Sequence, residues 1–278
     1  MSATSAILFP GQGSQTSDMR EAVERTRPEL LELVIAAVGE DPFPRAGEGT
    51  NFAQPAIFTA SLAGWSSLGS PLGDFMAGHS LGELAALVAA SSLAESDGMA
   101  LVTLRGSLMH EAGLKAGEGG MVVVMGRGAS ERAPEVALVH DLVIANDNSP
   151  QQVVLSGPRS ALPEAVNHAK DLGLRAMELD VTGAFHSPMM AAAVPEFESA
   201  LADTEFSKPA VPVISAVTAA PFTDPRRELA EALTRPVRWR ETMLTLHDLG
   251  VARFIEVGPG RVLTGLAKRT LQDVELVS

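Results

Sequence analysis

Asp74-Phe75-Met76-Ala77-Gly78-His79-Ser80-Leu81-Gly82-Glu83-Leu84-Ala85-Ala86-Leu87 is the stretch that decides the fold. Residues 74–77 read as a short buried strand. The Ala/Leu-rich run from Leu81 to about Ser91 reads as a helix. A Gly-x-Ser-x-Gly turn between strand and helix is a nucleophile elbow. Its serine stands on a tight turn with the hydroxyl exposed, and glycines at 78 and 82 remove side chains that would strike the flanking strand and helix. Ser80 then lies at a helix N-terminus, where free N–H groups and the helix dipole favour developing negative charge. The Leu81 N–H is the natural first donor to an oxyanion. On these five residues alone, a glycine-bracketed N-cap serine with no chemistry is the competing interpretation.

Working outward, strands alternate with helices. Residues 6–9 form a buried strand that ends in the turn Pro10-Gly11-Gln12-Gly13. Helical periodicity covers 28–38, 54–65 and 95–112, and the glycine-rich 113–120 reads as a linker. The order then changes: strand 121–125, helix 129–139, strands 142–145 and 153–156, helix 159–172, strand 175–179. That βαββαβ order is ferredoxin-like. Helix 188–201, strand 212–217, helical stretches in 230–249 broken by Pro236, strand 254–257 and helix 262–270 complete the chain. We therefore expect an α/β-hydrolase-like core with a mainly parallel sheet, built from 1–117 and 184–278. The ferredoxin-like subdomain is inserted at 118–183.

Composition narrows the function. The chain has 278 residues and a formal net charge of −13, which argues against nucleic acid as a partner. No apolar run is long enough to cross a bilayer, and the N-terminus lacks the pattern of a signal peptide. Cysteine is absent, which excludes disulfides, cysteine catalysis and thiolate metal sites and fits a cytoplasmic protein. The basic residues gather late: Arg226, Arg227, Arg235, Arg238, Arg240, Arg253, Arg261, Lys268 and Arg269 fall in the last quarter. They read as solvated helix faces or as a local patch for an anionic partner.

A serine nucleophile needs a base. Of the six histidines, His79 adjoins Ser80 and should point away from it, and His110 and His168 lie within helices. His186 follows the exit of the inserted segment, in Gly183-Ala184-Phe185-His186-Ser187-Pro188, where a cleft would form. It is the candidate base.

Together the motifs amount to a resemblance. Pro10-Gly11-Gln12-Gly13-Ser14-Gln15, Gln54-Pro55-Ala56, Gly78-His79-Ser80-Leu81-Gly82-Glu83, Arg105-Gly106, Asn146-x-Asn148-Ser149-Pro150, Ala184-Phe185-His186-Ser187, Pro236-Val237-Arg238-Trp239 and Glu256-Val257-Gly258-Pro259-Gly260 fall in one order. That order resembles malonyl-CoA:acyl carrier protein transacylases and the acyltransferase domains of fatty-acid and polyketide synthases, over nearly the whole chain. The resemblance implies Ser80 as nucleophile, His186 as base and acid, and the N–H groups of Gln12 and Leu81 as the oxyanion hole. It implies that Arg105 grips the free malonyl carboxylate, a task suited to a guanidinium with two parallel donors. It links Phe185 to an unbranched acyl group and places Asn148 among the substrate-binding residues. The implied partners are malonyl-CoA and an acyl carrier protein, with no metal or redox cofactor, and we expect a monomer.

The chain departs from the family where Ala232 replaces a frequent glutamine whose backbone carbonyl orients the histidine. The segment between Arg20 and Gln54 is also short. Two rivals stay open on sequence. A serine hydrolase would need a carboxylate on its histidine, and Asp141, Asp147 and Asp180 are available. The acyltransferase subunit of malonate decarboxylase shares similar motifs.

Overall fold

The computed structural model describes residues 3–278. Among the described residues, ten strands and eleven α-helices make two sheets with their covering helices. Strand β1 (Ser5–Phe9) is followed by helices α1 (Met19–Thr26), α2 (Pro28–Val38) and α3 (Thr50–Ser67). Next come β2 (Phe75–Gly78), α4 (Gly82–Ala89) and α5 (Glu95–Ala116). The middle of the chain is β3 (Gly119–Met125), α6 (Ala129–Val139), β4 (Val143–Ser149), β5 (Gln152–Pro158), α7 (Leu162–Asp171) and β6 (Arg175–Glu178). It closes with α8 (Val194–Asp203), β7 (Val213–Ser215), β8 (Ala220–Pro221), α9 (Pro225–Glu231), α10 (Trp239–Asp248), β9 (Arg253–Glu256), α11 (Val262–Thr270) and β10 (Glu275–Val277). None of these helices is long and apolar enough to cross a membrane.

The larger sheet runs β10-β9-β1-β2-β7-β8 and is parallel except at the β7–β8 edge. Its central strands are apolar on both faces, as a sheet covered on both sides requires. Ile7 and Phe9 pack into one cluster with Phe58 and Leu84, while Ala6 and Leu8 pack into another with Trp239 and Phe254. Each fully buried side chain of this size contributes roughly 1.5–3 kcal/mol. The smaller sheet runs β4-β5-β3-β6, all antiparallel. Its outer face is closed by α6 and α7 through Val122, Leu155, Val136 and Ala165. The smaller sheet is tied to the segment ahead of α10 where Asn146 of β4 bridges Val237 in parallel.

Several expected boundaries move. The stretch 113–120 is not a linker: α5 continues through Ala116 and β3 starts at Gly119. Gly113 serves packing instead, since a Cβ there would lie 2.7 Å from the Thr182 carbonyl oxygen. The expected helices 159–172 and 188–201 each open with a 3₁₀ turn, Arg159–Ala161 and Pro188–Ala193. The helical pattern of 230–249 divides into α9 and α10 around Pro236.

Candidate active site

The elbow forms as its residues dictate. Ser80 adopts φ 54°, a left-handed conformation rare for a residue with a side chain and worth about 1–3 kcal/mol of strain. The glycines permit it: a Cβ on Gly78 would overlap the Gly82 carbonyl, and one on Gly82 would overlap the Phe9 carbonyl oxygen. The Gly82 and Glu83 N–H groups are taken by the His79 and Ser80 carbonyls at 3.0 and 3.1 Å. The N–H groups of Leu81 and Gln12 have no acceptor among the described residues. Both residues line the cavity that holds Ser80, as an oxyanion hole requires.

His186 also has positive φ, 55°. Its Nε2 lies 2.9 Å from Ser80 Oγ across 106 positions of sequence. On its other side Nδ1 lies 2.7 Å from the Ala232 carbonyl oxygen. A carbonyl only accepts, so Nδ1 carries the proton and Nε2 is free to accept the serine hydroxyl's. Burial, reinforced by the Arg105 charge, pushes the His186 imidazole down to about 3. It is therefore neutral across the physiological range.

Arg105, from the middle of α5, is 2% exposed. Its Nη1 donates to Gln54 Oε1 at 2.7 Å and its Nη2 to Ser80 Oγ at 3.2 Å. Gln54 is held in turn by donating to Thr50 Oγ1 at 2.8 Å. Arg105 makes no ion pair among the described residues, and burial lowers it to about 10. It remains a cation without an ion-pair partner among the described residues, aimed at Ser80 Oγ.

Gln12, Ser80, Leu81, Arg105, Asn148, Phe185 and His186 all line one cavity of about 280 Å³. Asn148 reaches it from β4, where its Oδ1 lies 2.8 Å from His79 Nε2 and its Nδ2 donates to Gln152 Oε1 at 3.0 Å. The His79 ring thus turns away from Ser80 and ties the elbow to the antiparallel sheet, with Trp239 edge-on at 5.4 Å. None of the three aspartates serves His186, whose Nδ1 is taken by Ala232. Asp147 pairs with Arg240 at 2.7 Å and Asp180 sits exposed on the cavity wall. Gln54 and Glu83 appear in the quoted motifs without a role; Gln54 joins the site through its bond to Arg105, while Glu83 lies buried behind the elbow and outside the cavity.

A strand–serine–helix turn, a neutral histidine on its oxygen, free N–H donors and a buried arginine define a serine-dependent acyl-transfer site. The family model for the acyl transferase domain matches residues 7–278. The polyketide biosynthesis protein ThaF of Burkholderia thailandensis is 38% identical over 96% of this chain, which spans only 24% of ThaF. The polyketide biosynthesis malonyl CoA-acyl carrier protein transacylase PksC of Bacillus subtilis is 35% identical, covering 96% of this chain and 97% of its own. The structure of the malonyl CoA-acyl carrier protein transacylase from Coxiella burnetii superposes with a TM-score of 0.89 at 35% identity, over 99% of this chain and 93% of that one. The chain belongs to the acyl transferase domain family.

Proposed function

We propose that this protein transfers malonyl from malonyl-CoA to the phosphopantetheine thiol of an acyl carrier protein, through a malonyl ester on Ser80. The observation that carries this reading is Arg105, a buried cation with neutral partners that donates to the oxygen which would become acylated. In the first half-reaction His186 Nε2 takes the Ser80 proton as Oγ attacks the thioester carbonyl. The Leu81 and Gln12 N–H groups receive the oxyanion, the C–S bond breaks, and CoA leaves as the thiol with that proton. In the second half, His186 takes the carrier thiol's proton, sulfur attacks the ester, and the proton returns to Ser80 Oγ as the C–O bond breaks.

The acyl carboxylate has a second effect. It offsets the Arg105 charge, which adds to burial in holding His186 down, so the imidazole becomes a stronger base once malonyl is seated. An acetyl group gives no such relief. Phe185 walls the acyl pocket against an α-branch, and Asn148 lines the route to it. A hydrolase reading loses ground because His186 is oriented by a backbone carbonyl rather than a carboxylate. A monomer acting in the cytoplasm without metal or redox cofactor is part of the same proposal. The assembled side chains supply nucleophile, base and counter-charge, and the main chain supplies the oxyanion donors. We also read the parallel sheet with its elbow as an α/β-hydrolase-like core, and 118–183 as a ferredoxin-like insertion.

The late cluster of basic residues is largely committed elsewhere. Arg235, Arg238, Arg240 and Arg253 pair with Glu231, Glu241, Asp147 and Glu275, and Arg226 binds the Leu201 and Thr204 carbonyls. Of the rest, Arg227 is exposed on α9, while Arg261, Lys268 and Arg269 stand exposed around α11, to which we assign carrier docking. Val262, Leu263 and Leu266 of that helix line a cavity that also touches Gln12, His79 and Asn148. Competition between malonyl-CoA and acetyl-CoA tests the central reading. Wild type should load malonyl preferentially and Arg105→Ala should lose that preference; a variant that keeps it contradicts the carboxylate clamp.

A further inference from the structure

Glu83 lies one helical turn after Ser80 and is 1% exposed. Its Oε1 accepts the Ala216 N–H at 2.8 Å, and it makes no ion pair among the described residues. The elements against α4 explain this isolation. The strands β1, β2 and β7 and helix α3 bring no titratable side chain to it. The charged groups that act on it are Arg105 of α5 and Glu228 of α9. Glu228 is just as buried but is supplied with donors from Thr218, Thr223 and Asp224. Glu83 has little beyond one backbone N–H and the nearby Ser215 hydroxyl.

A buried carboxyl with few donors and no cation in contact favours its neutral form. Here burial raises Glu83 to about 8, Glu228 adds to the rise, and Arg105 opposes it without reversing it. Had Glu83 paired with Arg105, the arginine would face the acyl pocket already neutralised.

We propose that Glu83 is a positioning residue that stays protonated at neutral pH and thereby keeps the Arg105 cation free for the substrate carboxylate. This inference rests on the proposed malonyl-transfer activity and deepens it. Its consequence has a definite sign. As pH rises through the Glu83 transition, an anion forms within electrostatic reach of Arg105, draws on its charge and repels the incoming acyl carboxylate. Malonyl binding weakens on the alkaline side. Arg105 itself is lowered only to about 10, so Glu83 is the first of the two to titrate.

The test follows malonyl loading of Ser80 from pH 7 to 9.5 in wild type and in Glu83→Gln, which keeps an amide oxygen for the Ala216 N–H. Wild type should show KM for malonyl-CoA rising about tenfold, the equivalent of one unit of coupling between the two carboxylates. The kcat should change less than KM. The glutamine variant should load at neutral pH and lack the alkaline rise, and thermal melting should show it folded. Glu83→Asp, which restores an ionisable group, should bring a rise back. An equal alkaline rise in wild type and Glu83→Gln overturns the inference while leaving malonyl transfer intact. Wild type that takes up no malonyl at any pH overturns the functional reading instead.

Discussion

The parallel sheet and the antiparallel sheet both reach the cavity but contribute unlike things. From the parallel sheet, the ends of β1 and β2 bring Gln12, Ser80 and Leu81, held by backbone geometry so tight that glycine is required at 78 and 82. From the antiparallel sheet come Asn148, Met121 and Val154, side chains that form a wall and a tether. His186 stands just past β6, where the chain leaves the second sheet and returns to the first. Chemistry is thus fixed by main chain on one side, while the other side shapes the room around it. Changes on the parallel side should cost more than changes on the antiparallel side.

The largest effect should come from Ser80→Ala, with transfer falling by at least about 10³-fold while thermal stability stays near that of wild type, since alanine keeps the Cβ and the left-handed φ. His186→Ala should cost almost as much, and the double variant little more, because the two act as one unit. Arg105→Ala should lower malonyl loading by about 10²-fold and leave acetyl loading near its starting rate. Asn148→Ala, on the opposite wall, should cost only about tenfold, since it removes a tether to His79 and not a reacting group. A loss as large as that of Ser80→Ala would break the contrast between the sheets. Charge reversal at Arg261, Lys268 and Arg269 should raise KM for the carrier by a few-fold and leave malonyl loading alone, with the effect fading as salt rises. The acid limb of loading sharpens the same picture: His186 at about 3 in the free protein places it far below the ordinary imidazole range.

The elbow was legible in sequence because it is local. Five residues, a strand before and a helix after specify the turn, and Leu81 follows from it. Apart from the family resemblance, the partner of Ser80 was legible only as a loop histidine at a junction. The 2.9 Å contact depends on the whole intervening sheet folding back. The Ala232 carbonyl leaves no mark in composition or spacing, since every residue has one, and only the family resemblance pointed to it. Gln54 and Glu83 needed burial to be read: exposed, a glutamine and a glutamate in helices say nothing. Helix α1 and strand β10 went unread because eight and three residues give too little periodicity. The glycines at 113–120 misled because they serve packing and a helix end rather than flexibility.

Intact-protein mass spectrometry after exposure to malonyl-CoA tests the central claim most directly. Wild type should gain a single malonyl adduct that disappears when holo carrier protein is added, and Ser80→Ala should gain none. An adduct of equal occupancy on both proteins would contradict the assignment of Ser80 as the acyl-bearing residue.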